Sequence, residues 1–260
     1  MDYLYDSSFE GFLTCIYYSY SREKADGIFP EAFYQPSLMT RSHVVVTNPE
    51  YADRVYRAIE ERLAEDSIRH IYYAFLAEAP NKENIMLDYL RLGFRMGAKI
   101  DSYHTHPQVQ PLHNISRKVG IEVHRFLGLL RFADNGRFLH ARLAPDHNIL
   151  SLLANHFAER LRNERWVIED EKRKLAVVYD GKSGARGHKG SSWYIICLDD
   201  LLNYATIEED PYQELWKLYF NKIAIESRRN PRLQTQFVPK RYRKNLVEFE
   251  PLLYMGDKQE

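Results

Sequence analysis

Cysteine is nearly absent: Cys15 and Cys197 are the only two in 260 residues. Two thiols exclude a disulfide framework, a four-cysteine zinc site and an iron–sulfur cluster held within one chain. Such sparing use fits a reducing, cytoplasmic compartment. No stretch approaches 18 uninterrupted apolar residues, so no segment reads as a membrane span. The start, "MDYLYDSSFEG", has neither a basic leader nor an apolar core. Net charge is missing too, with 36 Lys and Arg against 36 Asp and Glu. There is no internal repeat, no low-complexity tract, no G-x-S-x-G nucleophile elbow, no H-E-x-x-H helix and no strand–G-x-G-x-x-G–helix unit.

What is present is aromatic and unevenly charged. The chain holds 19 Tyr and 13 Phe, and tyrosines in such numbers usually pack the ring and leave the hydroxyl wet. Between Lys222 and Asn245 there are eight Lys or Arg against one acid, Glu226. The rest of the chain must therefore carry the compensating negative charge, and a block of this kind says more about partners than the total does.

Periodicity gives an α+β chain: a helix-rich N-terminal part, then a mainly antiparallel sheet with helices packed on one face. "YLYD" reads as a strand. "SSFEGFLTCIYYSY" reads as a helix with a Ser7/Glu10 capping box and one stripe of Phe9, Phe12, Leu13, Ile16, Tyr17 and Tyr20. "HVVV" is a second strand, and Asn48-Pro49 opens a helix whose inner face is Ala52, Val55, Tyr56, Ile59 and Leu63. Helices follow at about 67–79 and 83–96, stopped by Gly97, and "DSYHTHPQVQPLHN" reads as a linker before a helix at 114–124. "GLLRFADNGRFLHARLAP" is a hairpin turning on Asn135-Gly136. That register puts Phe132, Leu139 and Ala141 on one face and Arg131, His140 and Arg142 on the other. A helix at 149–162 is followed by a hairpin turning near 171–173. "SWYIICL" reads as a strand covered on both faces, and a last long helix starts at Asp210-Pro211. The implied organisation is 1–110, 111–208 and 209–260.

Several stretches invite a chemical reading. In "ESRRNPRLQTQFVPKRYRKN", Asn230-Pro231 and Val238-Pro239 each favour a turn and then a helical start. Arg228, Arg229, Arg232, Lys240, Arg241, Arg243 and Lys244 supply charge for phosphates, with Arg131 and Arg142 on the sheet face as a second cationic patch that would merge with the first if the segment packed at its edge. Phe237 and Tyr242 either stack on a base or anchor the segment. "SYHTHPQVQPLH" holds His104, His106 and His113 with Asp101 as the adjacent carboxylate. With no cysteine near, it reads as a solvated linker, and no metal or other cofactor is assigned. Asp146 and His147, with His156, are candidates for an acid–base group, although an Asp before a helix is commonly its N-cap. "VVYDGKSGARGHKG" is no phosphate-cradling loop, because Ala176 stands where glycine is needed and a strand follows; it reads as a basic loop.

"YDSSFEGFLTCIYYSY", "LLRFADNGRFLHARLAPDHNIL", "HFAERLRNERWVIEDEKR" and "AIESRRNPRLQTQFVPKRY" resemble, in this order, an uncharacterised bacterial family described as DNA-metabolism proteins. Members of that family are paired with a radical-SAM protein assigned to DNA modification or repair, and in some a similar region is joined to a uracil-DNA glycosylase-like domain. Ser7 stands where that family commonly has glycine, and Arg243 where an aromatic is common. The resemblance implies a DNA-binding accessory protein whose partners are DNA and the radical-SAM protein, and it supplies no catalytic residues. Two alternatives stay open: an enzyme acting on a damaged nucleobase, and a protein adaptor without direct DNA contact.

Overall fold

β1 (Asp2–Tyr5) is buried along its whole length, as a strand with neighbours on both sides and helices over its faces must be. The structure is a computed structural model that describes residues 1–36, 39–181, 193–198, 231–246 and 249. β1 lies between β2 (Gly27–Pro30) and β3 (Ser42–Val44), parallel to both. "HVVV" does enter this sheet; β2 carries no readable signal, being four residues that end in a proline, which only an edge strand tolerates.

α1 (Phe9–Ser21) starts one residue later than its capping-box spacing suggests. Ser8 is the N-cap, its Oγ accepting the Gly11 N–H at 2.9 Å, while Ser7 sits at φ 64°. The Asp6 carboxylate fixes this entry by accepting the Ser8 N–H at 3.0 Å and the Thr47 hydroxyl at 2.8 Å. A left-handed backbone costs a residue with a Cβ about 1 kcal/mol that glycine avoids. Ser7→Gly is therefore expected to raise stability by about 0.5–1 kcal/mol, read as a higher urea midpoint, and Ser7→Val to lower it. Phe12, Leu13, Cys15 and Ile16 fill the core of this unit, whereas Tyr20, predicted to face inward, is 58% exposed in the last turn and keeps an edge contact to Phe94.

α2 (Pro49–Arg62) begins as predicted, with Asn48 Oδ1 accepting the N–H groups of Glu50 and Tyr51. α3 (Ser67–Leu76) and α4 (Lys82–Met96) follow, and Gly97, at φ 69°, ends α4. Residues 101–114 differ from the predicted linker. A 3₁₀ turn (Gly97–Ser102) runs through further turns into α5 (Gln110–Leu129). Pro111 falls in the first turn of α5, where its missing N–H is not needed. Contacts divide the chain into Met1–Gly120 and Ile121–Glu260, a division that falls inside α5.

The second unit is built on a five-stranded sheet in sequence order, β4 (Ala133–Asp134), β5 (Leu139–Leu143), β6 (Trp166–Asp170), β7 (Leu175–Tyr179) and β8 (Trp193–Cys197). Three of its four ladders are antiparallel; β5 and β6 run parallel, joined through α6 (Leu150–Arg160). The first hairpin closes two residues wider than the Asn135-Gly136 register, pairing Asp134 with Leu139 and Ala133 with His140. Asn135 Oδ1 accepts the N–H groups of Arg137 and Phe138, which holds a four-residue loop instead of a two-residue turn. A two-residue shift keeps every side chain on its face, so Leu139 and Ala141 still oppose His140 and Arg142 across the sheet. Leu129 ends α5, and Arg131 lies before the strand, bonded to the Gly128 and Leu130 carbonyls. The β6–β7 turn at 171–174 is as predicted. β8 is not covered on both faces, since Ile195 is 42% exposed. The expected helix from Asp210 and the basic loop at 182–192 lie outside the described residues.

Candidate functional site

The basic C-terminal stretch folds as its two prolines suggest. α7 (Pro231–Phe237) includes the first, and a 3₁₀ turn (Lys240–Asn245) follows the second. Arg125 donates to the Gln236 carbonyl at the end of α7, and the 3₁₀ turn packs on β5.

Tyr242 holds the turn in place. It is 5% exposed, its ring edge-on to Phe126 with centroids 4.9 Å apart, and its hydroxyl donates to Glu122 Oε1 at 2.6 Å. Glu122 is buried, and its carboxylate also accepts the backbone N–H groups of Asp146 and His147, at 2.7 and 2.8 Å. One carboxylate thus joins α5, the 145–149 loop and the C-terminal turn. Burial, then the hydrogen bond to Glu122 and its charge, push the Tyr242 phenol above the ordinary range. Of the two roles open to Tyr242, anchoring is the one its burial allows. Phe237 is 64% exposed.

The described cations divide into three groups. Arg241 Nε lies 2.8 Å from Asp146 Oδ2, Lys244 Nζ 3.0 Å from Glu171 Oε2, and Arg142 Nε 3.8 Å from Glu169 Oε2. The Arg243 guanidinium donates to the Val238 carbonyl and the Thr235 hydroxyl and lies over the Phe249 ring. Arg232 and Lys240 are exposed and have no carboxylate partner among the described residues. Arg228 and Arg229 lie outside the described residues. Glu169 also takes a hydrogen bond from His140, which, with the Arg142 charge and against burial, holds its carboxyl below the usual range.

Packing the turn against β5 creates a pocket. Its apolar lining is Phe126, Leu129, Leu130, Leu143 and Ala144, and Arg142, Arg241 and Lys244 border it from two stretches of chain about a hundred residues apart. The sheet patch and the C-terminal patch therefore merge at one concave surface; Arg131 is not part of it.

Residues 80–248 match the model of a domain of unknown function, DUF4130. The chain belongs to this family. No curated protein and no solved structure matches it. The DUF4130 span contains every residue of the pocket and all of the Glu122 network. Of the acid–base candidates, Asp146 is not the N-cap of α6, a position taken by Ile149; its carboxylate instead faces Arg241 and lies 3.1 Å from the Tyr242 hydroxyl. Neither His147 nor His156 lines the pocket, and His156 stands on the exposed side of α6 against Phe157. No helix of the described residues is long and apolar enough to cross a membrane.

A second polar centre lies in the first unit, at the segment expected to be a solvated linker. His113 Nε2 is 2.9 Å from Asp101 Oδ1, and the same oxygen accepts the Tyr89 hydroxyl at 2.6 Å. His70, from α3, stands beside them, its ring centroid 4.5 Å from that of His113. Burial opposes the Asp101 charge, yet the hydrogen bonds from Tyr89 and His113 hold its carboxyl below the ordinary range. Burial and then His113 push the His70 imidazole below its usual value. His106 bonds the Gln108 N–H and stands apart from this centre.

Sequence reasoning missed Glu122 and His70. Glu122 had a readable signal: it interrupts the apolar stripe Val119, Val123 and Phe126 of α5 with a charge, which only a partner can justify. His70 had none, being 31 residues from Asp101.

Proposed function

We propose that this DUF4130 protein is a DNA-contacting accessory factor in DNA repair or modification, and that the cationic rim of the pocket between the C-terminal turn and β5 contacts the nucleic-acid backbone. The observation that carries this is the convergence of Arg142, Arg241 and Lys244 on one apolar-lined pocket, with Arg232 and Lys240 exposed on the adjoining C-terminal segment. Cations at the border suit phosphates held at the surface, and the pocket between them, with room for about one water, admits no base. The ion pairs at the border do not argue against it. Arg142, Arg241 and Lys244 are themselves exposed, with Glu169 and Glu171 half-buried beside them, so a phosphate would compete with those carboxylates for each cation. The resemblance to DNA-metabolism proteins supports the same reading and implies the second partner, a radical-SAM protein that would carry the chemistry, and a uracil-DNA glycosylase-like domain of the kind joined to a similar region in some members.

Fluorescence anisotropy with labelled DNA tests it. Neutralising about five phosphates should weaken binding roughly 10²–10³-fold between 50 and 200 mM salt. The Arg142→Ala/Arg241→Ala/Lys244→Ala variant should retain only about a tenfold loss over that interval, because about two contacts remain. A flat salt dependence in the parent, or an unchanged slope in the variant, overturns the proposal. Capture of the radical-SAM protein without DNA, lost on the same three substitutions, would assign the pocket to the adaptor role instead.

A further inference from the structure

We infer that His70, Asp101 and His113 form a binding site for a divalent first-row transition-metal ion of the zinc and iron(II) kind. The inference does not depend on the DNA reading, because the site lies in the Met1–Gly120 unit and uses none of the pocket residues.

Two imidazoles and one carboxylate present donor atoms that all lie within 4.8 Å of one another. They come from three separate elements: α3, the 3₁₀ turn after α4, and the first turn of α5. Two imidazoles with one carboxylate form the facial set that zinc, iron(II), cobalt and manganese accept, with coordination positions left for water or substrate. Ligand atoms about 2.1 Å from a common ion lie roughly 3.4 Å apart in tetrahedral geometry. Side-chain rotations that bring the widest pair at most about 1.4 Å closer are therefore sufficient.

The residues around these three argue for a built site. His70 Nδ1 lies 3.0 Å from the hydroxyl of Ser116, which is buried on α5. That pairing leaves Nε2 as the nitrogen for a metal and fixes the ring, as outer partners of ligating histidines do. Asp101 is held in the same way: Tyr89, fully buried, donates to Oδ1, and Ser67, also fully buried, lies 3.3 Å from Oδ2. The Tyr89 hydroxyl is itself 2.7 Å from the Ser67 Oγ. Fixing one carboxylate with two buried hydroxyls sets its direction, which a solvent-screened His–Asp pair does not require. His104, exposed, has its ring centroid 5.7 Å from that of His113.

The test uses the full chain, stripped with a chelator and dialysed. Cobalt(II) is added while its visible d–d absorption is followed, and zinc is titrated by calorimetry. The expected result is one ion per chain, with a cobalt spectrum of low-symmetry imidazole and carboxylate ligation. His70→Gln, Asp101→Asn and His113→Gln should each abolish the spectrum. Ser116→Ala should weaken zinc roughly 10–100-fold, and His106→Ala should change nothing. Circular dichroism separates lost ligation from lost folding. The parent chain decides the question even if a variant unfolds: no saturable ion in the parent, or full affinity in folded His70→Gln and His113→Gln chains, overturns the inference.

Discussion

Replacing Glu122 by alanine is expected to destabilise the Ile121–Glu260 unit by about 3–4 kcal/mol, among the largest effects available to one substitution in this chain. The carboxylate accepts three hydrogen bonds, from the Asp146 and His147 N–H groups and the Tyr242 hydroxyl. Truncation leaves the two N–H groups without their acceptor, at about 1–3 kcal/mol for each that stays buried, and leaves the Tyr242 hydroxyl only the Asp146 carboxylate, 3.1 Å away. Thermal unfolding should fall by roughly 6–16 °C, at 2–4 °C for each kcal/mol. Glu122→Gln should fall between, since its amide keeps one acceptor oxygen but turns an NH₂ toward a donor. The loss should also reach function: Tyr242 seats the turn that carries Arg241 and Lys244, so Glu122→Ala should bind DNA less tightly even where it remains folded. A variant within 1 kcal/mol of the parent would show that the turn is not held by this carboxylate.

Trp166→Ala is expected to cost about 3–5 kcal/mol, the range for removing a large aromatic from a closed core. Trp166 is fully buried at the start of β6, between Leu139 of β5 and Tyr179 of β7. Its ring stacks on Tyr179 with centroids 5.2 Å apart and meets Phe132 edge-on at 6.4 Å. Removing it opens a cavity beneath the strand that carries Arg142. Trp166→Phe keeps an aromatic face for Tyr179 and should cost clearly less. Urea midpoints for the two variants separate these outcomes; equal, small losses would mean that the strands close over the gap.

These two residues stand at opposite ends of legibility. Trp166 reads as a strand residue from sequence alone, because β6 and β7 flank a local turn. Glu122 was visible as an anomaly in a helical stripe, but nothing near it in sequence named its partner, Tyr242, which lies 120 residues away. The same limit explains the β5–β6 ladder. Two strands read as parts of separate hairpins pair in parallel because α6 carries the chain across between them, and periodicity carries no record of strand direction. It also explains residues 101–114, where prolines and histidines suggested a solvated linker and the fold made a polar centre by bringing His70 alongside.

The sequence by itself determined what depends on near neighbours: the Asn48 cap of α2, the Gly97 stop, the helical turn after Pro239, and the sheet face on which Arg142 stands. Caps, stops and strand alternation are settled by backbone groups within a few residues of one another. Only the tertiary structure decided which charges meet, since hydrogen bonds and ion pairs act over a few ångströms and take no account of separation along the chain. That is why the pocket of Arg142, Arg241 and Lys244, and the centre of His70, Asp101 and His113, emerge only once the chain is folded.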